Sequence, residues 1–277
     1  MSCRVLLTGA TGFIGKQVLE VLKLKQINTT LIVRPNWEEK IAKHERIINV
    51  IETEDLFKET PEWWTNASKN IDVIIHLAWY AETGKYLMSD KNIDCLLGTL
   101  NLVRGASVAG IGKFIGVGTC FEYDLGADVL TTNTPLKPLS QYAAAKVATY
   151  FVLSHFLLQK NIEFTWCRLF YLYGENQDSR RLVSYIRSSI KKGDFVELTS
   201  GRQIRDYMDV RDAGIKIVEA SIGDVVGAIN ICTGVPITVR KLAENIADEY
   251  DRRDLLKFGA RKNNFTDPES VIGEPSI

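Results

Sequence analysis

Tyr142 and Lys146 are the side chains in this 277-residue sequence whose types and spacing point most directly to chemistry. In Tyr142-Ala143-Ala144-Ala145-Lys146 they stand four positions apart, so on a helix both project from one face, about one turn apart. A free phenol titrates near ~10 and is a poor acid–base catalyst at neutrality. A neighbouring ammonium favours the phenolate and makes the proton easier to move. Tyr142 could then give a proton to a carbonyl oxygen under reduction, or take one from an alcohol in reverse. Thr119, in Gly118-Thr119-Cys120-Phe121-Glu122-Tyr123 at the end of an apolar run, offers a hydroxyl to hold that oxygen. The plainer readings are a Tyr-Lys spacing that any amphipathic helix can contain, and a threonine satisfying a strand-end backbone group.

The electrons would come from a cofactor, and the opening residues describe its site. Val5-Leu6-Leu7 reads as a buried parallel strand, too brief for a helix. It breaks into Gly9, Gly12 and Gly15, and Val18, Leu19, Val21 and Leu22 then have the spacing of a helix lying on a sheet. Gly9 permits the tight turn, Gly12 leaves room for a pyrophosphate, and Gly15 lets helix and strand approach. The helix N-terminus adds free N–H groups and a positive dipole end. Three glycines can also merely make a loop, but strand before and helix after is the context that dinucleotide binding requires. A second strand, Thr29 to Val33, ends at Arg34-Pro35-Asn36. An acid there would bond the ribose hydroxyls of NAD, whereas Arg34 suits the 2′-phosphate of NADP. NADP(H) is therefore favoured, with NAD(H) possible.

The rest of the chain must position these groups. Apolar content of 45% and charged content of 25% are those of an ordinary globular protein. Lys+Arg and Asp+Glu number 34 each, so no global field attracts nucleic acid or an anionic membrane. No apolar run has the length of a signal h-region or a membrane span, and a cytoplasmic location is expected. Five scattered cysteines without a C-x-x-C pair argue against a disulfide framework or zinc site and suit a reducing compartment. Of the three histidines, His76 sits within an apolar run and reads as a packed strand-end residue; no metal site is expected.

Asn49 to Glu52, Ile71 to Ala78, Lys113 to Gly118 and Phe164 to Leu169 read as further strands, with helices over 96–109 and 140–158 between them. The alternation predicts an α/β fold, a doubly wound parallel Rossmann sheet. Trp79 and Tyr80 follow the fourth strand at its carboxyl end, where the ligand crevice of such sheets lies. They are expected either to meet substrate or to pack under a loop. Beyond residue 170 the rhythm changes to a basic helix over 179–192, a short strand Val196–Leu198, a strand Ala228 to Cys232 and a helix Leu242 to Tyr250. The tail from Asn263 reads as irregular. We assign 1–169 and 206–232 to the dinucleotide-binding domain, and 170–205 with 233–277 to a small substrate-binding region.

Thr8-Gly9-Ala10-Thr11-Gly12-Phe13-Ile14-Gly15 resembles the opening of the extended short-chain dehydrogenase/reductases, the family of nucleotide-sugar epimerases, dehydratases and ketoreductases. The likeness runs over roughly residues 5 to 245. It implies that Thr11, Phe13 and Ile14 join the glycines at the cofactor, that Asp55 and Leu56 lie beside the adenine, and that Ala78 lets backbone pass close to the cofactor. It implies that Lys146 bonds the nicotinamide ribose and that Thr119 is the family's Ser/Thr. Arg168-Leu169-Phe170-Tyr171-Leu172-Tyr173-Gly174 is similar to Arg-Leu-Phe-Asn-Val-Tyr-Gly, with Tyr171 in place of a substrate-touching Asn. Arg205 matches an arginine that grips the nucleotide diphosphate, the alternative being a structural salt bridge. Arg180 or Arg181 would add a phosphate contact, or else belong to a solvated helix face. Asn230-Ile231-Cys232-Thr233-Gly234 resembles a structural stretch, and Cys95 stands where the family has Asn before Gly98-Thr99.

Dehydratases of the family carry Asp-Glu after the threonine. Here those positions are Cys120 and Phe121, and Glu122 comes one place late, so dehydration is not expected. Val147, Tyr150, Phe151 and Phe156, on the helix of Tyr142, imply a homodimer seam or burial within one chain. The resemblance is to nucleotide-linked 4-keto-6-deoxyhexose reductases of deoxysugar and polysaccharide biosynthesis. It implies hydride transfer from NAD(P)H to C4 of a nucleotide-sugar substrate. The alternatives are a C4 epimerase that retains NAD and a non-catalytic dinucleotide-binding protein.

Overall fold

In the computed structural model, which describes residues 3–263 and 267–277, the apolar runs and amphipathic stretches become regular elements. The first half comprises β1 (Arg4–Thr8), α1 (Phe13–Leu24), β2 (Asn28–Val33), β3 (Ile47–Glu52), α2 (Pro61–Ala67), β4 (Val73–His76), α3 (Lys91–Ala109), β5 (Lys113–Thr119), α4 (Gln141–Gln159) and β6 (Glu163–Leu169). The second comprises β7 (Tyr171–Tyr173), α5 (Leu182–Lys192), β8 (Val196–Leu198), β9 (Ile204–Asp209), α6 (Val210–Ile222), β10 (Gly227–Ile231), β11 (Pro236–Thr238), α7 (Val239–Asp248), β12 (Leu256–Phe258) and β13 (Ser270–Val271).

Seven strands form one parallel sheet in the order β10-β6-β5-β4-β1-β2-β3, the doubly wound Rossmann arrangement. From β1 the chain winds outward through β2 and β3, then returns to β4 and winds the other way. The order therefore reverses between β1 and β4, and a crevice opens at their carboxyl ends. Alternation along β1 feeds both faces. Val5 and Leu7 pack with Val18 and Leu22 of α1 and with Ile217 and Val218 of α6. Leu6 packs on the opposite face with Trp64 of α2, Leu102 of α3 and Leu153 of α4. Both faces of the sheet are covered, which is why its strands are near-continuous apolar runs.

Helix α6 is absent from the sequence-based reading, although its signal was present. Val210, Ala213, Gly214, Ile217 and Val218 are buried at helical spacing while Arg211, Asp212 and Glu219 face solvent. The basic helix begins at Leu182 rather than at residue 179, and α7 begins at Val239, where the Thr238 hydroxyl accepts from the Lys241 N–H. Short strands β7, β9, β11 and β13 make a second sheet, and β8 pairs with β12. Strand β8 lies where it was expected, whereas β7, β11 and β13, of two or three residues, are too short to show alternation. The tail contributes β13 and a bridge from Gly273 to Leu130, while Asn264 to Thr266 lie outside the described residues.

Candidate active site

A cleft of about 1100 Å³ opens at the carboxyl ends of β1, β4 and β5. The residues assigned above to cofactor, substrate and catalysis line it, with two exceptions, Arg205 and Arg180.

At one end the backbone approaches too closely for any side chain. Gly9 has φ +76°, and a Cβ there would lie 2.8 Å from the Ala78 nitrogen. A Cβ on Gly15 would lie 2.0 Å from the Gly9 carbonyl oxygen. Helix α1 starts at Gly12 with no side-chain cap and no acid in its first turn, so its N–H groups face the cleft uncompensated. This cradle fits the pyrophosphate of a dinucleotide. Arg34, at the end of β2, lines the same cavity, and among the described residues its guanidinium carries no ion pair. Asp55 accepts from the Phe57 N–H at 3.1 Å, which shapes the turn holding Leu56.

His76 sets the floor between β1 and β4. The Thr99 hydroxyl donates to the Cys95 carbonyl at 2.7 Å, so it accepts from His76 Nε2 at 3.0 Å. His76 Nδ1 therefore accepts from the Thr8 hydroxyl at 2.8 Å, and Thr8 accepts from the Ala78 N–H at 3.3 Å. Every partner is satisfied only by neutral imidazole, and burial brings the His76 pKa down to about 3. The unfolded chain takes up this proton near pH ~6.5, so stability present above that pH is lost as pH falls toward 3, by about 1.4 kcal/mol per unit. Denaturation between pH 6.5 and 5, above the carboxylate range, should show this slope, and His76→Gln should flatten it.

The Ser140 hydroxyl accepts from the Ala143 N–H at 3.2 Å and starts α4, which carries Tyr142 and Lys146 into the cleft. Tyr142 and Thr119 both line the cleft, and the Tyr142 ring stands edge-on to Tyr86 at 4.9 Å and to Trp79 at 6.5 Å. Lys146 Nζ donates to the Val117 carbonyl at 2.7 Å and lies 3.6 Å from the centre of the Trp79 ring. This departs from the expectation that Lys146 brings the Tyr142 pKa down. In the protein alone burial drives the phenol well above its usual range, with the nearby Thr119 hydroxyl opposing it. Burial also lowers the Lys146 ammonium to about 7. Tyr142 thus carries its proton at neutral pH.

Thr119 is held from below. Its N–H donates to Glu122 Oε1 at 2.9 Å, and its hydroxyl accepts from the Phe121 N–H at 3.3 Å. The same carboxylate accepts from Trp166 Nε1 at 3.0 Å and from Arg168 Nε at 2.7 Å, all of it buried. Arg168 donates onward to the Tyr123 hydroxyl at 3.0 Å, which donates to Asn230 Oδ1 at 2.6 Å. Burial pushes the Glu122 carboxyl up, but these donors hold it as a carboxylate. Glu122 is therefore a support for the threonine rather than a displaced acid. Thr119-x-x-Glu122 is a capping box, a signal legible in the sequence.

At the substrate end Tyr171 packs edge-on to Phe121 at 6.0 Å and lies 5.6 Å from Tyr207. Cys120, whose thiol burial pushes up to about 12, completes a wall without a carboxylate. The Tyr80 hydroxyl donates to Glu82 at 2.9 Å. Arg205 is corrected from diphosphate anchor to structural ion pair: it is 2% exposed, 2.8 Å from Asp267, and bonded to the Ile204 carbonyl behind Tyr171. Arg180 is paired with Asp178, whereas Arg181 lines the cleft over the Tyr86 ring and makes no ion pair among the described residues. Among the described residues no three His, Cys, Asp or Glu side chains gather to hold a metal.

Residues 5–221 match the NAD dependent epimerase/dehydratase family. The dTDP-6-deoxy-L-talose 4-dehydrogenase (NAD(+)) of Aggregatibacter actinomycetemcomitans is 22% identical over 281 residues, spanning 97% of this chain and 98% of that protein. The CDP-abequose synthase of Salmonella muenchen is 24% identical, spanning 93% of this chain and 84% of that protein. A solved structure of UDP-N-acetylglucosamine 4-epimerase from Methanobrevibacter ruminantium M1, in complex with UDP-N-acetylmuramic acid, shares the fold. It matches with a TM-score of 0.88 at 22% identity, over 100% of this chain and 91% of that chain.

Proposed function

The chain belongs to the NAD dependent epimerase/dehydratase family, and from that premise we propose that it is a ketoreductase acting at C4 of a nucleotide-linked 4-keto-6-deoxyhexose. It is an NAD(P)-dependent enzyme of the short-chain dehydrogenase/reductase type, and its relatives are named for work on nucleotide sugars. The observation that carries the reductase reading is the meeting of Thr119, Tyr142 and Lys146 in one cleft, where burial favours the protonated phenol. A proton donor in that state is poised to complete a reduction. The Cys120, Phe121 and Tyr171 wall holds no carboxylate that could expel a C6 hydroxyl, which supports a substrate whose C6 is a methyl group. Two relatives, named for 6-deoxytalose and abequose, point the same way.

A nicotinamide dinucleotide bound over the glycine cradle would supply the hydride. Thr119 holds the C4 carbonyl oxygen, and Tyr142 delivers its proton to that oxygen as the carbon is reduced. The resulting phenolate is stabilised by the Lys146 ammonium. Arg181, without an ion pair among the described residues and facing the cleft, is our candidate for a diphosphate contact, in place of Arg205. Exposed Ile93, Leu97, Phe151, Val152 and Leu158 on α3 and α4 support a homodimer through these helices, whereas Val147, Tyr150 and Phe156 pack at least partly inside the chain. No helix among the described residues is long and apolar enough to cross a membrane.

The test is cofactor consumption with dTDP-, CDP- and GDP-linked 4-keto-6-deoxyhexoses, NADPH and NADH run side by side. One of these sugars should oxidise NADPH stoichiometrically. An altered sugar nucleotide without net oxidation would identify an epimerase instead. Arg34→Asp should lower the NADPH-over-NADH ratio of kcat/KM by about tenfold, because a guanidinium–phosphate contact is exchanged for repulsion. An unchanged ratio would remove Arg34 from cofactor choice.

A further inference from the structure

Lys146 is a buried ammonium without a carboxylate partner. Among the described residues, the titratable groups that face it are Glu122, Cys95, His76 and Tyr142. Glu122 is committed to Arg168, and the Cys95 thiol is pushed up to about 11 and neutral. The His76 ring is neutral, and Tyr142 keeps its proton. What faces the charge is the Val117 carbonyl at 2.7 Å and the Trp79 ring at 3.6 Å, with Trp166 farther off at 5.7 Å.

Trp79 is itself held from behind. Its indole N–H donates to Asn92 Oδ1 at 2.9 Å. Asn92 is fully buried, and its amide nitrogen donates to the carbonyls of Tyr86 at 2.7 Å and Ser89 at 2.8 Å. With the nitrogen so occupied, the oxygen must face the indole, and the ring plane is set. An aromatic face attracts a cation through its quadrupole, most strongly where water is excluded. The same ring also stands edge-on to Tyr142.

We propose that Trp79 is a positioning residue whose ring face, oriented by Asn92, keeps the Lys146 ammonium charged and directed beside Tyr142. The effect on turnover rests on the reading of Tyr142 as proton donor; the effect on Lys146 does not. A ring that merely fills space would act through its volume. A ring that holds a cation acts through its π-electrons.

That difference selects the experiment. Trp79→Leu would also admit water to Lys146, so the decisive series replaces Trp79 by mono-, di- and tetrafluorotryptophan, near-isosteric rings of falling π-charge. Titration of Lys146 is followed in the ligand-free protein by the 13Cε resonance of labelled lysine, assigned by its loss in Lys146→Met. The midpoint should fall stepwise along the series, by about one pH unit from indole to tetrafluoroindole. A midpoint that does not move along the series overturns the proposal. In the same series the alkaline limb of kcat should move to lower pH by a matching amount. A shifted Lys146 titration in a protein that reduces no keto sugar would sink the ketoreductase reading and leave the role of Trp79 standing.

Discussion

Tyr142→Phe should lower kcat by about 10²- to 10⁴-fold while leaving dinucleotide affinity nearly unchanged. The substitution removes one oxygen and keeps the ring, so the edge-on contacts to Tyr86 and Trp79 survive. Thr119 keeps its bonds to Glu122 and Phe121, so the cost to folding should stay within about 1 kcal/mol. Catalysis loses far more, because no other group in the wall can replace the proton. The Cys120 thiol beside the threonine is pushed up to about 12 by burial, and it stands on the turn after β5 rather than on the face of α4 that carries Lys146. Steady-state oxidation of NADPH measures the loss, and fluorescence titration of the cofactor checks that binding is retained. Turnover within a few-fold of the parent would take the proton-donor role away from Tyr142.

The parts of this site that were legible in the sequence are those encoded by local spacing. Gly12 and Gly15 carry their geometry in the chain itself, since their close approaches are to Gly9 and Ala10, and the positive φ of Gly9 belongs to the same turn. Tyr142 and Lys146 share a face because helices have 3.6 residues per turn. The parts that were not legible depend on partners far apart in sequence. Arg205 has a fitting type and neighbourhood for a phosphate, and only the fold brings Asp267 to it. Trp79 was expected at the crevice, but its seat on Lys146 requires α3 and α4 to meet at the end of β4. Helix α6 shows a third kind of limit. Its apolar stripe is interrupted by Gly214 and Ser221, small residues suited to close packing yet weak as signals of a buried face.

Glu122 joins stability to catalysis, and Glu122→Leu should destabilise the protein by about 3–5 kcal/mol. Removing the carboxylate leaves the Arg168 guanidinium buried, bonded only to the Tyr123 hydroxyl and stacked near the rings of Tyr123 and Tyr150. It also strips the Thr119 and Trp166 N–H groups of their acceptor. The cost arises from the orphaned charge and donors more than from the lost pair itself. Arg168→Met added to Glu122→Leu should therefore recover about half of the stability, because two apolar side chains need no mutual compensation. Urea denaturation of the two single variants and the double variant gives the coupling directly. A single-variant cost below about 1 kcal/mol would mean that water reaches Arg168 and that the network does not hold Thr119. Turnover separates the two roles. The stabilised double variant should still reduce substrate more slowly than the parent, since its Thr119 N–H has regained no acceptor and the carbonyl-holding hydroxyl is no longer pinned from below.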